Sequence, residues 1–254
     1  MPRAARLLVL LALLAAGAFP SGVRGQTTGS AEAGVFLLAI VTGSDLRFVG
    51  AGTAFFVDPD GTALTNSHVV YAALKEPSRY QLLAIVGQEF YGASIVCASP
   101  LAHDPREANA RAVVARDVAE VRLSPSRFPF TRLVSREDIT YTAHLGRLPA
   151  FPTLPLAPDP APGEDVRIVG YGERLNGPAT EQRAAAGKVT ELWTAPDDTP
   201  VFTIASTDRP RPGSSGSPVL DGQGRVVGMW TWSAVPSLAF GLAIAGSALT
   251  PACR

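Results

Sequence analysis

The stretch "GSSGSP", residues 213–218, sets Ser215 between two glycines and ahead of a proline. Gly213 and Gly216 permit a tight bend with unusual φ, so the N–H groups of Gly213 and Ser215 could converge on a developing oxyanion. A serine nucleophile also needs an imidazole to take its proton and a carboxylate to fix that imidazole's tautomer. The chain has three histidines, His68, His103 and His144, and all precede Ser215. That order excludes the serine–acid–histidine arrangement of an α/β-hydrolase, and G-x-S-x-G fails because position 217 is serine. His68 ends "GTALTNSH" after a predicted strand, and Asp117 opens the alternating run "DVAEVRL", so both stand where a strand emerges toward a cleft. By residue type alone, a core histidine, a strand-end turn aspartate and a plain β-turn remain open readings of the three positions.

His103 in "LAHDPRE" and His144 in "YTAHLGR" read as exposed loop residues. His103 with Asp104 falls short of the three or four ligands of a metal site, so no metal and no cofactor is expected. With 22 basic and 22 acidic side chains and no run of like charge, the chain lacks the electrostatic footprint of nucleic-acid binding.

Nearly every later apolar segment is short, rich in Val, Ile, Phe and Thr, and bounded by Gly, Pro, Asp or Asn, which predicts strands. "GTAFFV" and "TALT" flank the turn sequence "DPDG", a β-hairpin, and "HVVYAALK" predicts a short helix. Residues 124–165 hold eight prolines and cannot supply a central strand, so they read as an extended connector. The predicted organisation is all-β: a unit at 26–123, the connector at 124–165, and a second unit at 166–254. Ahead of them, Arg3 and Arg6, the apolar stretch Leu7–Phe19 and a small-residue cleavage site predict a signal peptide over 1–25, hence a secreted or periplasmic protein. Thirteen apolar residues are too few to span a bilayer, so no membrane span is expected after its removal.

Taken together, "GTAFFVDPDGTALTNSHVV", "ARDVAEVRL" and "PGSSGSPVLDGQGRVVGM" resemble the histidine, aspartate and serine motifs of the chymotrypsin-fold serine peptidases, in their bacterial HtrA-like and V8-like branches. The order is the family's, and the spacing is comparable: 49 residues from His68 to Asp117 and 98 from Asp117 to Ser215. The resemblance implies two six-stranded antiparallel β-barrels with the active site in the cleft between them. It makes His68 the general base and acid, Asp117 its orienter, Ser215 the nucleophile, and the N–H groups of Gly213 and Ser215 the oxyanion donors. "TWS", Thr231–Ser233, resembles the strand that pairs with substrate backbone, with Trp232 in it and Thr231 bonding Asp117. The implied activity is a serine endopeptidase acting on proteins or peptides; a silent binding protein on the same fold and a serine esterase are the alternatives.

Several residues depart from the family pattern. Ser214 stands where digestive trypsin-like enzymes carry an acid that pairs with a newly freed N-terminus, so that activation route is not expected. Ser217 replaces the commoner glycine, as in the V8-like branch, and little chain follows the second barrel for a PDZ domain. Arg209, six residues before Ser215, falls near the base of the primary pocket, where a guanidinium would favour an acidic side chain; Arg211 could do likewise, although an exposed arginine is the plainer reading of either. In an oxidising compartment the only two cysteines, Cys97 and Cys253, could form a disulfide; mass spectrometry of the non-reduced protein showing both thiols free would overturn that pairing.

Overall fold

A computed structural model describes residues 31–43, 45–101, 116–134, 139–174, 177–208, 211–233 and 240–249. After a 3-10 turn at Ala31–Gly34, β1 (Val35–Thr42) is apolar on both faces. Phe36, Leu38 and Ile40 point into one core cluster, whereas Leu37, Ala39 and Val41 point into another. Two-sided burial is the reason "VFLLAIVT" lacks the apolar–polar alternation of a half-exposed strand. β2 (Phe48–Phe56) and β3 (Thr62–Thr65) form the expected hairpin around Gly61, whose φ of 93° requires glycine. Asp60 holds that turn by accepting from the Thr62 amide and hydroxyl. The helix α1 (Ser67–Lys75) follows, then β4 (Tyr80–Val86), β5 (Glu89–Ala98) and β6 (Ala119–Ser124). Pairings β1–β2, β2–β3, β3–β6, β6–β5, β5–β4 and β4–β1 close the first six-stranded barrel.

The second barrel comprises β9 (Asp165–Arg174), β10 (Gly177–Thr194), β11 (Pro200–Ser206), β12 (Pro218–Leu220), β13 (Val226–Ser233) and β14 (Phe240–Ala245) once two short strands are counted before it. These two, β7 (Arg132–Val134) and β8 (Thr140–Ala143), lie inside the expected connector and extend the first sheet at its edge. The second barrel closes in the order β10-β11-β14-β13-β12-β9. β10 starts well before the predicted "GKVTELW", because pairing with β9 from Gly177 to Lys188 draws an Ala-rich, polar stretch into the sheet.

The proline-rich stretch is laid firmly along the seam. Leu154 donates to Phe56 O, Ala157 donates to Val226 O, and Val226 donates to Pro155 O. Residues with an N–H bond to the barrels while interleaved prolines, which have none to satisfy, take the remaining positions. Leu154 also joins the core cluster shared by Val35, Phe55 and Leu64 of one barrel and Val169, Val226 and Met229 of the other. No helix among the described residues is long and apolar enough to cross a membrane.

The turn joining β12 to β13 hangs on Asp221. Its carboxylate accepts from the Gln223 and Arg225 amides, both at 2.9 Å, and from Arg225 Nε at 2.7 Å. Burial alone would raise its pKa, but these hydrogen bonds outweigh that and hold it below the ordinary carboxylate value. Because the folded-state pKa is depressed, the stabilisation is present above the unfolded value and lost as pH falls through the folded one. Asp221→Ala is expected to lower unfolding free energy by about 1–3 kcal/mol at neutral pH. Urea unfolding should show this gap closing below about pH 4; a gap independent of pH would exclude the carboxylate as its source.

Candidate active site

Asn66 is the N-cap residue of α1, yet its side chain does not cap the helix. Its amide donates instead to Asp117 O at 2.8 Å and to Thr231 Oγ1 at 3.0 Å. The Asp117 carboxylate takes over at the helix start: Oδ1 accepts the His68 backbone N–H at 2.9 Å, which puts negative charge at the positive end of the helix. The other oxygen, Oδ2, lies 2.5 Å from His68 Nδ1. Asp117 is fully buried, while the His68 side chain is 14% exposed at the cleft. Ser67 Oγ donates to Val118 O at 2.8 Å and ties the helix to the Asp117 segment a second time.

On the second barrel, Gly213 and Gly216 adopt φ of 94° and 87°, the conformations that glycine allows. Ser215 Oγ donates to Thr231 O at 3.3 Å. The N–H groups of Gly213 and Ser215 have no acceptor among the described residues, whereas those of Ser214, Gly216 and Ser217 are bonded within the protein. His68 and Ser215 line one cavity of about 310 Å³, whose walls include Ile40, Val49, Ala51, Tyr71 and Lys75.

β13 carries a bulge at Thr231, between the pairs Trp230–Ala243 and Trp232–Leu242. Thr231 is buried, and its hydroxyl donates to Met229 O and accepts from Asn66; the expected bond to Asp117 is replaced by this indirect link. β12 pairs with β13 only as far as Met229, so the backbone of Trp232 and Ser233 pairs with β14 on one side and with no described strand on the other. Trp230 is core packing, seated against the space left by Gly241.

Arg209, His103 and Cys253, on which the specificity, metal-pair and disulfide readings rest, lie outside the described residues. Arg211 is neither exposed nor at this cleft. Its side chain is 16% exposed and lines a separate cavity of about 50 Å³ with Arg183, Asp208 and Ser214. Nor is His144 an exposed loop residue: it stacks on Tyr91 at 4.8 Å and bonds Arg147 O at 2.9 Å. Among the described residues no group of three metal-ligating side chains occurs. Sequence reasoning missed Asn66 and Thr53, for which an amide beside the histidine motif and a threonine in the buried run "GTAFF" were the available signals.

Comparison with known proteins bears on the fold. A structure of the Rv3671c protease of M. tuberculosis in an inactive form superposes with a TM-score of 0.54 at 22% identity, covering 86% of each chain. Its active form gives 0.55 at 20% identity over 86% of this chain and 78% of that one. The serine endoprotease of Yersinia pestis gives 0.56 at 16% identity over 87% of this chain and 61% of that one. At these identities the likenesses show the fold. No curated protein matches the sequence. The family described as "Trypsin-like peptidase domain" matches residues 52–229, more than two thirds of the chain, and the protein therefore belongs to the trypsin-like peptidase family.

Proposed function

We propose that this protein is an exported serine endopeptidase in which Ser215 is the nucleophile, His68 the general base and acid, and Asp117 the orienter. The observation that carries the reading is the buried Asp117 carboxylate bonded to His68 Nδ1, with His68 and Ser215 lining the same cavity. A carboxylate on Nδ1 keeps the proton there, leaves Nε2 as the acceptor, and stabilises the imidazolium once it forms.

In the proposed cycle a rotation about χ1 takes Ser215 Oγ from Thr231 O to Nε2. Oγ attacks the scissile carbonyl as its proton passes to Nε2, and the unbonded N–H groups of Gly213 and Ser215 receive the oxyanion. The imidazolium then protonates the leaving amine, giving an acyl-enzyme that water hydrolyses by the same route in reverse order. The edge of β13 at Trp232 and Ser233 that pairs with no described strand would take the substrate backbone as an added strand. Protein or peptide substrates follow from the peptidase family, and the triad chemistry calls for no cofactor. Export rests on the pattern of residues 1–25, and recovery of a cellular protein that still begins at Met1 would remove it.

A fluorophosphonate probe should label the folded protein and fail on Ser215→Ala. Both Ser215→Ala and His68→Ala should lower kcat by up to about 10⁶-fold, and Asp117→Asn by about 10⁴-fold, with melting temperatures showing that each variant is folded. A folded wild type that takes no label would favour a silent binder, and cleavage of simple esters without casein or peptide hydrolysis would favour an esterase.

A further inference from the structure

The loop 211–217 contains no carboxylate, and the groups that bond its peptide planes are neutral. Three successive peptide planes in it are fixed by hydrogen bonds, the outer two at both ends and the middle one at its carbonyl. Across the Gly213–Ser214 peptide, Gly213 O accepts from Thr53 Oγ1 at 2.9 Å while Ser214 N donates to Arg211 O at 3.0 Å. Across Ser214–Ser215, Ser214 O accepts from Ser217 Oγ at 2.6 Å, which turns the Ser215 N–H to the opposite side, where it has no acceptor among the described residues. Across Ser215–Gly216, Ser215 O accepts from Thr53 N at 2.8 Å while Gly216 N donates to Trp230 O at 2.9 Å.

Thr53 belongs to β2 in the first barrel and is fully buried, so its backbone and side chain reach across the seam to the opposite barrel. Its hydroxyl has a single proton. Tyr171 N donates to Oγ1 at 2.8 Å, filling one lone pair, so the proton is directed at Gly213 O. Thr65 Oγ1 in turn donates to Thr53 O at 2.7 Å and orients the Thr53 peptide itself. The fit is tight: a Cβ on Gly216 would come within 2.0 Å of Thr53 O, and one on Gly170 within 1.7 Å of Ser217 Oγ.

We propose that Thr53 and Ser217 are positioning residues that hold the Gly213 and Ser215 N–H groups ready for the oxyanion, Thr53 doing so from the opposite barrel. The inference rests on Ser215 being the nucleophile. Both residues are fully buried, and neither lines the cavity shared by His68 and Ser215.

The test compares Thr53→Val, Thr53→Ser and Ser217→Ala with wild type, using peptide hydrolysis normalised to sites titrated with a fluorophosphonate. Thr53→Val, which keeps the shape and removes the hydroxyl, should lower kcat per titrated site about 100-fold with KM within about threefold. Thr53→Ser should restore kcat to within about threefold. Inhibition by a peptide boronate, whose tetrahedral adduct places an oxygen at the oxyanion donors, should weaken in parallel with kcat, while inhibition by a product peptide should not change. Ser217→Ala should shift the same readouts in the same direction and serves if Thr53→Val does not fold. Wild-type kcat per site in Thr53→Val or in Ser217→Ala, or a Thr53→Ser as impaired as Thr53→Val, would overturn the inference. A wild type that the fluorophosphonate does not label overturns the proposed function, and the inference falls with it.

Discussion

Burying one carboxylate organises the cleft. Asp117 is removed from water, and an isolated ionised carboxylate there would cost several kcal/mol unless hydrogen-bond donors replaced its hydration. The donors come from a single element, because the His68 amide and imidazole both belong to the first turn of α1. Satisfying Asp117 therefore fixes the start of the helix and the tilt of the imidazole together. Since the carboxylate occupies the capping position, the Asn66 side chain is released to tie Asp117 O to Thr231 Oγ1 of the second barrel. A local demand for hydrogen bonds on one barrel thus becomes a link between the two.

The seam between the barrels uses two kinds of interaction for two purposes. Apolar residues from both barrels and from the connector fill one part of it, which supplies adhesion without much direction. Around the nucleophile loop the seam is instead a chain of hydroxyls and carbonyls, from Thr65 to Thr53 to Gly213 and Ser215. Hydrogen bonds are directional where apolar contacts are not, and that part of the seam sets the orientation of individual peptide groups.

How much of this could be read from the sequence depends on whether the signal was local. Strands with strong β patterns, such as "YQLLAIV" and "VFTIAST", fall where periodicity places them because their propensity agrees with their pairing. The first half of β10 was not legible, since its strand character comes from β9. The connector's seam bonds were hidden for the same reason: proline content marks an extended chain but not what the chain lies against. Within the site, the residues that bear the chemistry stand out by type. The residues that hold them, Asn66 and Thr53, are small polar side chains in ordinary strand and turn segments, and their partners are 51 to 165 positions away. Arg211 misled for a related reason, because distance from Ser215 along the chain does not say to which side of the loop a long side chain turns.

The replacement of an acid by Ser214 has a physical consequence for the loop. A buried ion pair would have to offset a desolvation cost of several kcal/mol per charge and would tie the loop's shape to the presence of its counter-ion. Neutral hydroxyl donors are each worth only about 0.5–1.5 kcal/mol but cost far less to bury, and they are present as soon as the chain folds. Several such bonds, placed on successive peptide groups, can orient them without a charged partner. In this chain Thr53 and Ser217 donate such bonds, and the Ser214 hydroxyl accepts one from Arg211 N at 3.4 Å. A loop pinned in this way is completed by folding of the two barrels against each other, so its geometry follows from the seam.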